Sequence, residues 1–468
     1  MIFASLIFLY LFLPLNLLLY FFSKSTPVKN AVLLVFSLVF YAWGRPVWML
    51  LLVLTAWLDF RNARSIEKHR GTWRAKAAFA ASLVFDIGVF VLFKYSGFFA
   101  ENINALFGSM LPVPEFELPI GISFYTFQTL TYVIDVYRGD CKAQPRFSCY
   151  LLYLSMYFQL VAGPIVRYTD VQKEIGARAH SVSSAYAGMQ RFICGLAKKV
   201  ILADTAGVLA KKYMEADPAS LPTLAAWLGS FMYIVQLYFD FSGYSDMAIG
   251  LGRIFGFRFP ENFNYPYISK SVSEFWRRWH MTLGSFFRDY VYIPLGGNRR
   301  HVFLNLFVVW LLTGFWHGAS WNFIFWGLYN GVFIALERVF RKPFERLPAF
   351  IRHIYLILVV DIGFVFFYFR DIGRAFSYLG AMFRAETFIN TDLSVTFMNN
   401  IFFIAAAFLL CAPISQSLSR FAARLENRSA FWTGTVSLIR GIALAAILAV
   451  CTALLAGNSY SPFLYFQF

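Results

Sequence analysis

One imidazole interrupts a long apolar stretch. In Gly314-Phe315-Trp316-His317-Gly318-Ala319-Ser320-Trp321, His317 stands between residues 302–313 and 322–336, and neither flank carries a charge. An ionisable side chain at the join of two such segments is expensive in hydrocarbon, so it marks a site by default. Imidazole also titrates nearest neutral pH, which suits a general base. A core histidine satisfied by a neighbouring helix is the plainer reading, and these eight residues alone do not separate the two.

A second imidazole, His280, closes Glu274-Phe275-Trp276-Arg277-Arg278-Trp279-His280, a dense aromatic and basic cluster with one carboxylate. Trp and Arg gather at membrane interfaces in any case; the alternative is a site that holds an anion and offers an imidazole. His69, His180 and His353 lie in charged loops and read as solvated, while His301, beside Arg299 and Arg300, reads as an interfacial anchor. Two more polar clusters sit in apolar surroundings: Asp240-Phe241-Ser242-Gly243-Tyr244-Ser245-Asp246, and Tyr290 to Arg299 with Gly296-Gly297-Asn298. Asp240 and Asp246 are expected to pair with nearby arginines as buried ions. Gly296-Gly297 fits either a turn or a close backbone approach to a ligand. There is no G-x-S-x-G elbow, P-loop, Rossmann glycine pattern or H-E-x-x-H, so ATP hydrolysis, hydride transfer and zinc proteolysis lack support. The cysteines are scattered without metal or disulfide spacing.

The elements that must position these groups are membrane helices. Of 468 residues 59% are hydrophobic and only 14% charged, against about 25% charged in soluble domains. Apolar runs long enough to cross about 30 Å of hydrocarbon recur throughout, without the short alternation of a β-barrel. The expected fold class is an all-α polytopic membrane protein. The net charge of +16 falls in loops between apolar runs, which the positive-inside rule explains with the lipid bilayer as partner and no nucleic acid. Spans are expected at 2–22, 31–43, 46–60, 77–95, 120–137, 150–165, 200–213, 223–250, 353–369, 398–415 and 437–456, with 96–118 an outer loop and 167–199 amphipathic or re-entrant. Two short arms flank His317, so their join is expected within the membrane. The basic loop 61–76 is expected to be cytoplasmic and the N-terminus outside. The count is about eleven to thirteen crossings or half-crossings, with no internal repeat.

Several of these stretches together resemble the membrane-bound O-acyltransferase family, and within it the bacterial alginate O-acetyltransferase branch. They are Gln159 to Tyr168, Tyr238 to Ala248, Glu261-Asn262-Phe263-Asn264-Tyr265-Pro266-Tyr267, Glu274 to His280, Phe287-Arg288-Asp289-Tyr290, Pro294 to Arg299 and Trp316-His317-Gly318-Ala319. Phe40-Tyr41-Ala42-Trp43 and Ser461-Pro462-Phe463-Leu464-Tyr465-Phe466 add to the likeness, which covers nearly the whole chain.

The resemblance implies one membrane-embedded acyltransferase domain over 1–468, with N-terminal helices in 1–150, a catalytic core in 151–340 and C-terminal helices in 341–468. It implies a ring of about eleven transmembrane helices, with re-entrant pieces, around a tunnel. His317 maps to the family's principal catalytic histidine and His280 to its second position. His280 or a neighbouring donor would polarise the thioester carbonyl or stabilise the oxyanion. Arg277 and Arg278 are placed to attract donor phosphates. Trp276, Trp279, Trp316, Asn298, Arg299, Tyr244 and Asp246 are the other donor-binding or tunnel-lining candidates. No bound cofactor is expected; the donor substrate would be acetyl-CoA or another acyl thioester, such as one on a carrier protein. The acetyl group would pass from the cytoplasm towards an extracytoplasmic polysaccharide such as alginate, or to a partner acetyltransferase of the same pathway, in a bacterial inner membrane. The competing classes are a transporter or flippase, and a subunit of a polysaccharide-secretion machine without chemistry of its own. A transporter would more often show matched inverted halves.

Overall fold

A computed structural model describes residues 1–384, 386–457 and Phe463. Of the motif at 461–466, only Phe463 is therefore among the described residues. The described chain is helical from end to end and holds no strand. Five helices are long and apolar enough to cross a membrane: Trp73–Phe107, Thr223–Ile254, Ala349–Tyr368, Thr391–Leu410 and Ala430–Gly457. Phe8–Phe22, Thr26–Ala42 and Val302–His317 are shorter apolar helices. The protein is a multi-pass membrane protein.

The chain divides into two units, one of residues 1–192 and 245–261, the other of 193–244 and 262–468. In the first unit the helices are α1 (Leu13–Phe22), α2 (Thr26–Ala42), α3 (Pro46–Lys68), α4 (Trp73–Phe107), α5 (Ile122–Arg138), α6 (Phe147–Ser155), α7 (Tyr157–Leu160), α8 (Tyr168–Gly176) and most of α9 (Val182–Ala197). Phe12, Phe40 and Tyr157 meet ring to ring at 5.3–5.7 Å and fill the space between α1, α2 and α7. The loop expected over 96–118 is shorter than that. α4 continues to Phe107 and stops only at Gly108, whose φ of +61° ends the helix. The polar residues after residue 95, Glu101, Asn102 and Asn104 among them, do not interrupt the helix. The run 150–165 is likewise divided, because Met156 leaves helical geometry between α6 and α7.

The second unit holds α10 (Asp204–Met214), most of α11 (Thr223–Ile254), α12 (Val272–Arg278), α13 (Met281–Phe287), α14 (Val302–His317), α15 (Trp321–Val339), α16 (Arg341–Arg346), α17 (Ala349–Tyr368), α18 (Ile372–Met382), α19 (Thr391–Leu410), α20 (Ile414–Glu426) and α21 (Ala430–Gly457). α14 and α15 form a tight antiparallel pair packed on α17, and the short α12 lies against both α15 and α17. The pair closes tightly because its crossing is made of glycine. A methyl group on Gly327 would stand 2.9 Å from Gly314 Cα and collide with the Trp310 carbonyl, and one on Gly314 would collide with the Phe323 carbonyl. Small residues at a crossing let helices in lipid gain dispersion contacts that a hydrophobic driving force does not supply there. At 1.5 Å per residue α14 is about 24 Å long, short of the about 30 Å of hydrocarbon.

Both acidic residues of the 240–246 cluster are ion-paired, each within one unit. Asp240 meets Lys199 at 2.7 Å rather than an arginine. Asp246 meets Arg191 at 2.8 Å, and the same guanidinium reaches Glu261 at 2.5 Å. The structural reading of these carboxylates is the one the geometry supports.

Candidate active site

His317 is the last residue of α14, and Gly318, Ala319 and Ser320 make the turn into α15. Gly318 is extended, with φ −170° and ψ 155°, so the helix ends abruptly at the imidazole. A side chain added to Gly318 would strike the Phe323 ring. The imidazole is boxed by aromatic rings, with centroids of Trp316 and Trp326 both 4.9 Å away and Phe367 of α17 at 5.2 Å. His317 is thus held at the apex of the α14–α15 pair, and its rotamer is fixed by packing.

His280 reaches the same place by another route. It lies between α12 and α13 with φ 44° and ψ 53°, a left-handed conformation that is unfavourable for a residue with a side chain. That reversal aims two short helices in different directions from one point. It is stitched down by the preceding segment: Asn264 N–H donates to the Arg278 carbonyl and Met281 N–H to the Asn262 carbonyl, both at 2.9 Å. Asn262 and Asn264, conspicuous in the sequence but without an assigned role there, are the clamp that holds the turn.

The two imidazoles line one cavity of about 190 Å³ in the second unit. Trp276, Trp279 and Trp310 form its aromatic wall, and Leu283, Phe287, Leu306 and Val309 add apolar surface. Arg288, Tyr292 and Thr313 supply its other polar groups. The volume is below the roughly 300–1,000 Å³ of a site that encloses a drug-sized ligand.

Of the residues singled out in the sequence, Trp276, Trp279, His280 and His317 meet here. Trp316 is buried behind them, with its ring centroid 6.0 Å from that of His280. Arg277 is exposed and donates to the Ser273 carbonyl of its own helix at 3.1 Å. Arg278 is ion-paired with Glu274 at 2.9 Å and donates to the Asn264 carbonyl. Burial opposes ionisation of Glu274, but the Lys270 backbone N–H and Arg278 outweigh it and hold its carboxyl below the usual range. Asn298 accepts from Tyr292 at 2.8 Å and Arg338 at 3.0 Å outside the cavity lining. Arg299 is exposed. Tyr244 is buried with its ring centroid 5.0 Å from that of Phe463, and Asp246 belongs to the first unit with Arg191. The cation that does line the cavity is Arg288, which pairs with Asp289 at 2.7 Å. Its signal in the sequence is the stretch Phe287-Arg288-Asp289-Tyr290, which is less densely aromatic and basic than the one that holds Arg277 and Arg278.

α15 anchors α12 twice. Asn330 accepts the Trp276 indole N–H at 3.0 Å. Glu337, two turns further on, accepts from Val272 N at 2.5 Å, Ser273 N at 3.0 Å and the Ser273 hydroxyl at 2.7 Å. A carboxylate on otherwise unused N–H groups at a helix start is favourable through both hydrogen bonding and the helix dipole. Glu337→Ala leaves those buried donors unmet, and we expect a cost of about 1–3 kcal/mol. Thermal unfolding in detergent measures it; Glu337→Gln, which keeps one acceptor, recovers part of the loss.

Residues 142–380 match the sequence pattern of the membrane-bound O-acyltransferase (MBOAT) family. Over 508 aligned positions, covering all of both chains, the sequence is 37% identical to a protein named probable alginate O-acetylase from Azotobacter vinelandii. It is 30% identical to the peptidoglycan O-acetyltransferase of Helicobacter pylori, over all of this chain and 98% of that one. A teichoic acid D-alanyltransferase of Bacillus subtilis is 30% identical over 53% of this chain and 67% of its own.

Proposed function

This chain belongs to the membrane-bound O-acyltransferase family and is a membrane O-acyltransferase, and on that premise we propose that it moves an acetyl group from a cytoplasmic thioester across the membrane for O-acetylation of an extracytoplasmic polysaccharide such as alginate. The observation that supports this reading best is the meeting of His317 and His280 in one small aromatic cavity. His317 is the general base. It takes the proton of an acceptor hydroxyl as the oxygen attacks the thioester carbonyl. Collapse of the tetrahedral adduct breaks the C–S bond, and the thiolate recovers the proton from the imidazolium. The tryptophan wall keeps water, a competing nucleophile, away from the acyl group.

The donor in this reading is acetyl-CoA, entering from the cytoplasmic face. The acceptor end, reached from the opposite face through a tunnel, is the polymer itself or a partner acetyltransferase that carries the group onward. The membrane is a bacterial inner membrane. The shortness of α14, about 24 Å, supports a base held part-way through the bilayer, where both substrates can meet it. The names of the relatives support transfer of an acyl group to a cell-envelope polymer.

Purified protein in liposomes with radiolabelled acetyl-CoA tests the donor and direction. Donor loss inside the vesicles, with label appearing on an acceptor outside, is the expected result. Consumption of a carrier-bound thioester but not of acetyl-CoA replaces the donor. Label that stays on the donor's side of the membrane overturns the direction.

A further inference from the structure

The hydrogen bonds around Asn262 determine which nitrogen of His280 carries the proton. Asn262 is fully buried. One of its side-chain atoms meets three groups: the Thr282 backbone N–H at 3.3 Å, the Thr282 hydroxyl at 2.8 Å and His280 Nδ1 at 3.1 Å. A backbone N–H can only donate, so the atom facing it is the amide oxygen Oδ1 and not the amide nitrogen. Oδ1 can only accept, so His280 Nδ1 must donate to it. In a neutral imidazole a proton on Nδ1 leaves a lone pair on Nε2. Nε2 is buried and meets no hydrogen-bond partner among the described residues, while His280 lines the cavity. The ring itself stands edge-on to Phe241 of α11, with centroids 4.6 Å apart.

We propose that Asn262 is a positioning residue that locks His280 in its Nδ1–H tautomer, so that Nε2 accepts a hydrogen bond from an uncharged donor group of a bound substrate. This rests on reading the cavity as the site of acyl transfer. It gives His280 the opposite polarity to an oxyanion donor: a lone pair on Nε2 repels a developing negative oxygen and attracts an O–H or N–H. Two sources supply that chemistry, a hydroxyl of the acceptor beside the one that reacts, and an amide N–H in the arm of the thioester donor. Proton removal from the attacking hydroxyl stays with His317. An unsatisfied buried acceptor costs free energy in the empty protein, and substrate binding removes that cost only for a ligand with a donor at this point. His280 is therefore a specificity element, and Asn262 sets its sign.

The tautomer can be read without turnover. Full-length protein labelled with ¹⁵N-histidine, compared with His280→Gln to identify the signals, should show His280 protonated on Nδ1 and bare on Nε2. A proton on Nε2 in the wild type overturns the proposal, and that measurement needs no variant of Asn262 to fold. Asn262→Leu should lose the fixed tautomer, and Asn262→Asp, which keeps an acceptor oxygen, should retain it. With both variants checked by thermal unfolding, Asn262→Leu should raise one KM about tenfold, the worth of one buried hydrogen bond, with a smaller change in kcat. A rise in the acceptor's KM identifies the hydroxyl as the partner, and a rise in the donor's KM identifies the amide. A changed tautomer with both KM values unchanged overturns the proposal, because Nε2 would then meet no substrate. Failure of the wild type to consume any thioester counts against the donor assigned above and leaves the tautomer measurement standing.

Discussion

On the proposed role of His317, His317→Ala should lower the rate of acyl transfer by about 10²- to 10⁴-fold, the usual contribution of a positioned general base. The loss should fall on kcat, because a general base acts on the proton in flight and not on substrate binding. The protein itself should survive the change. His317 is packed among Trp316, Trp326 and Phe367, and its backbone sits at the end of a helix that Gly318 terminates regardless of the side chain. Initial rates in liposomes, alongside thermal unfolding of the same preparations, separate chemistry from stability. A folded His317→Ala protein with wild-type kcat would show that another group removes the proton.

The second large effect is structural. Gly327→Val should leave little folded protein, since the new side chain would drive α15 away from α14 at the point where Gly314 Cα lies 2.9 Å from a methyl carbon on residue 327. The obstacle is backbone on the facing helix, which has no rotamer to move to, so the cost is expected at or above the upper end of overpacking, about 3 kcal/mol. Gly441→Ala is the matched control: it sits in a long apolar helix, with nothing within 4 Å of the added methyl, and should change neither yield nor melting temperature. Monodisperse protein recovered per cell and its unfolding temperature give the comparison. Equal recovery of Gly327→Val would mean the α14–α15 crossing is looser than its glycines indicate.

The two effects differ in how openly the sequence displays their causes. His317 is legible because a polar group between uncharged flanks violates composition, and a violation can be seen without coordinates. The aromatic clusters at 274–280 and 314–321 are legible for the same reason, and they converge on the cavity. What the sequence conceals is pairing. Arg278 has the composition of a phosphate ligand and is instead ion-paired with Glu274 four residues earlier, while Arg288, in a less aromatic context, faces the cavity. Glu337 looks like the charged end of an apolar arm, and only the fold brings it to the start of α12, 65 residues away in sequence. Asn262 is a common polar residue in a loop until its three donors are seen together. Helix ends follow the same pattern. Gly108 stops α4 because of its backbone, a limit that the hydropathy of the sequence does not display.

The double attachment of α12 to α15, through Glu337 and Asn330, has a consequence for anyone wishing to alter the cavity. Trp276 rides on α12 and Trp279 caps it, so that wall is tethered to the helix that follows His317, and a substitution there is expected to disturb both. The opposite lining runs from Leu283 through Phe287 and Arg288 to Tyr292, whose hydroxyl shares the Asn298 acceptor with Arg338 of α15. Libraries aimed at a bulkier acyl group or a different acceptor belong at Leu283, where a substitution leaves the Glu337 and Asn330 attachments and the Asn298 link in place.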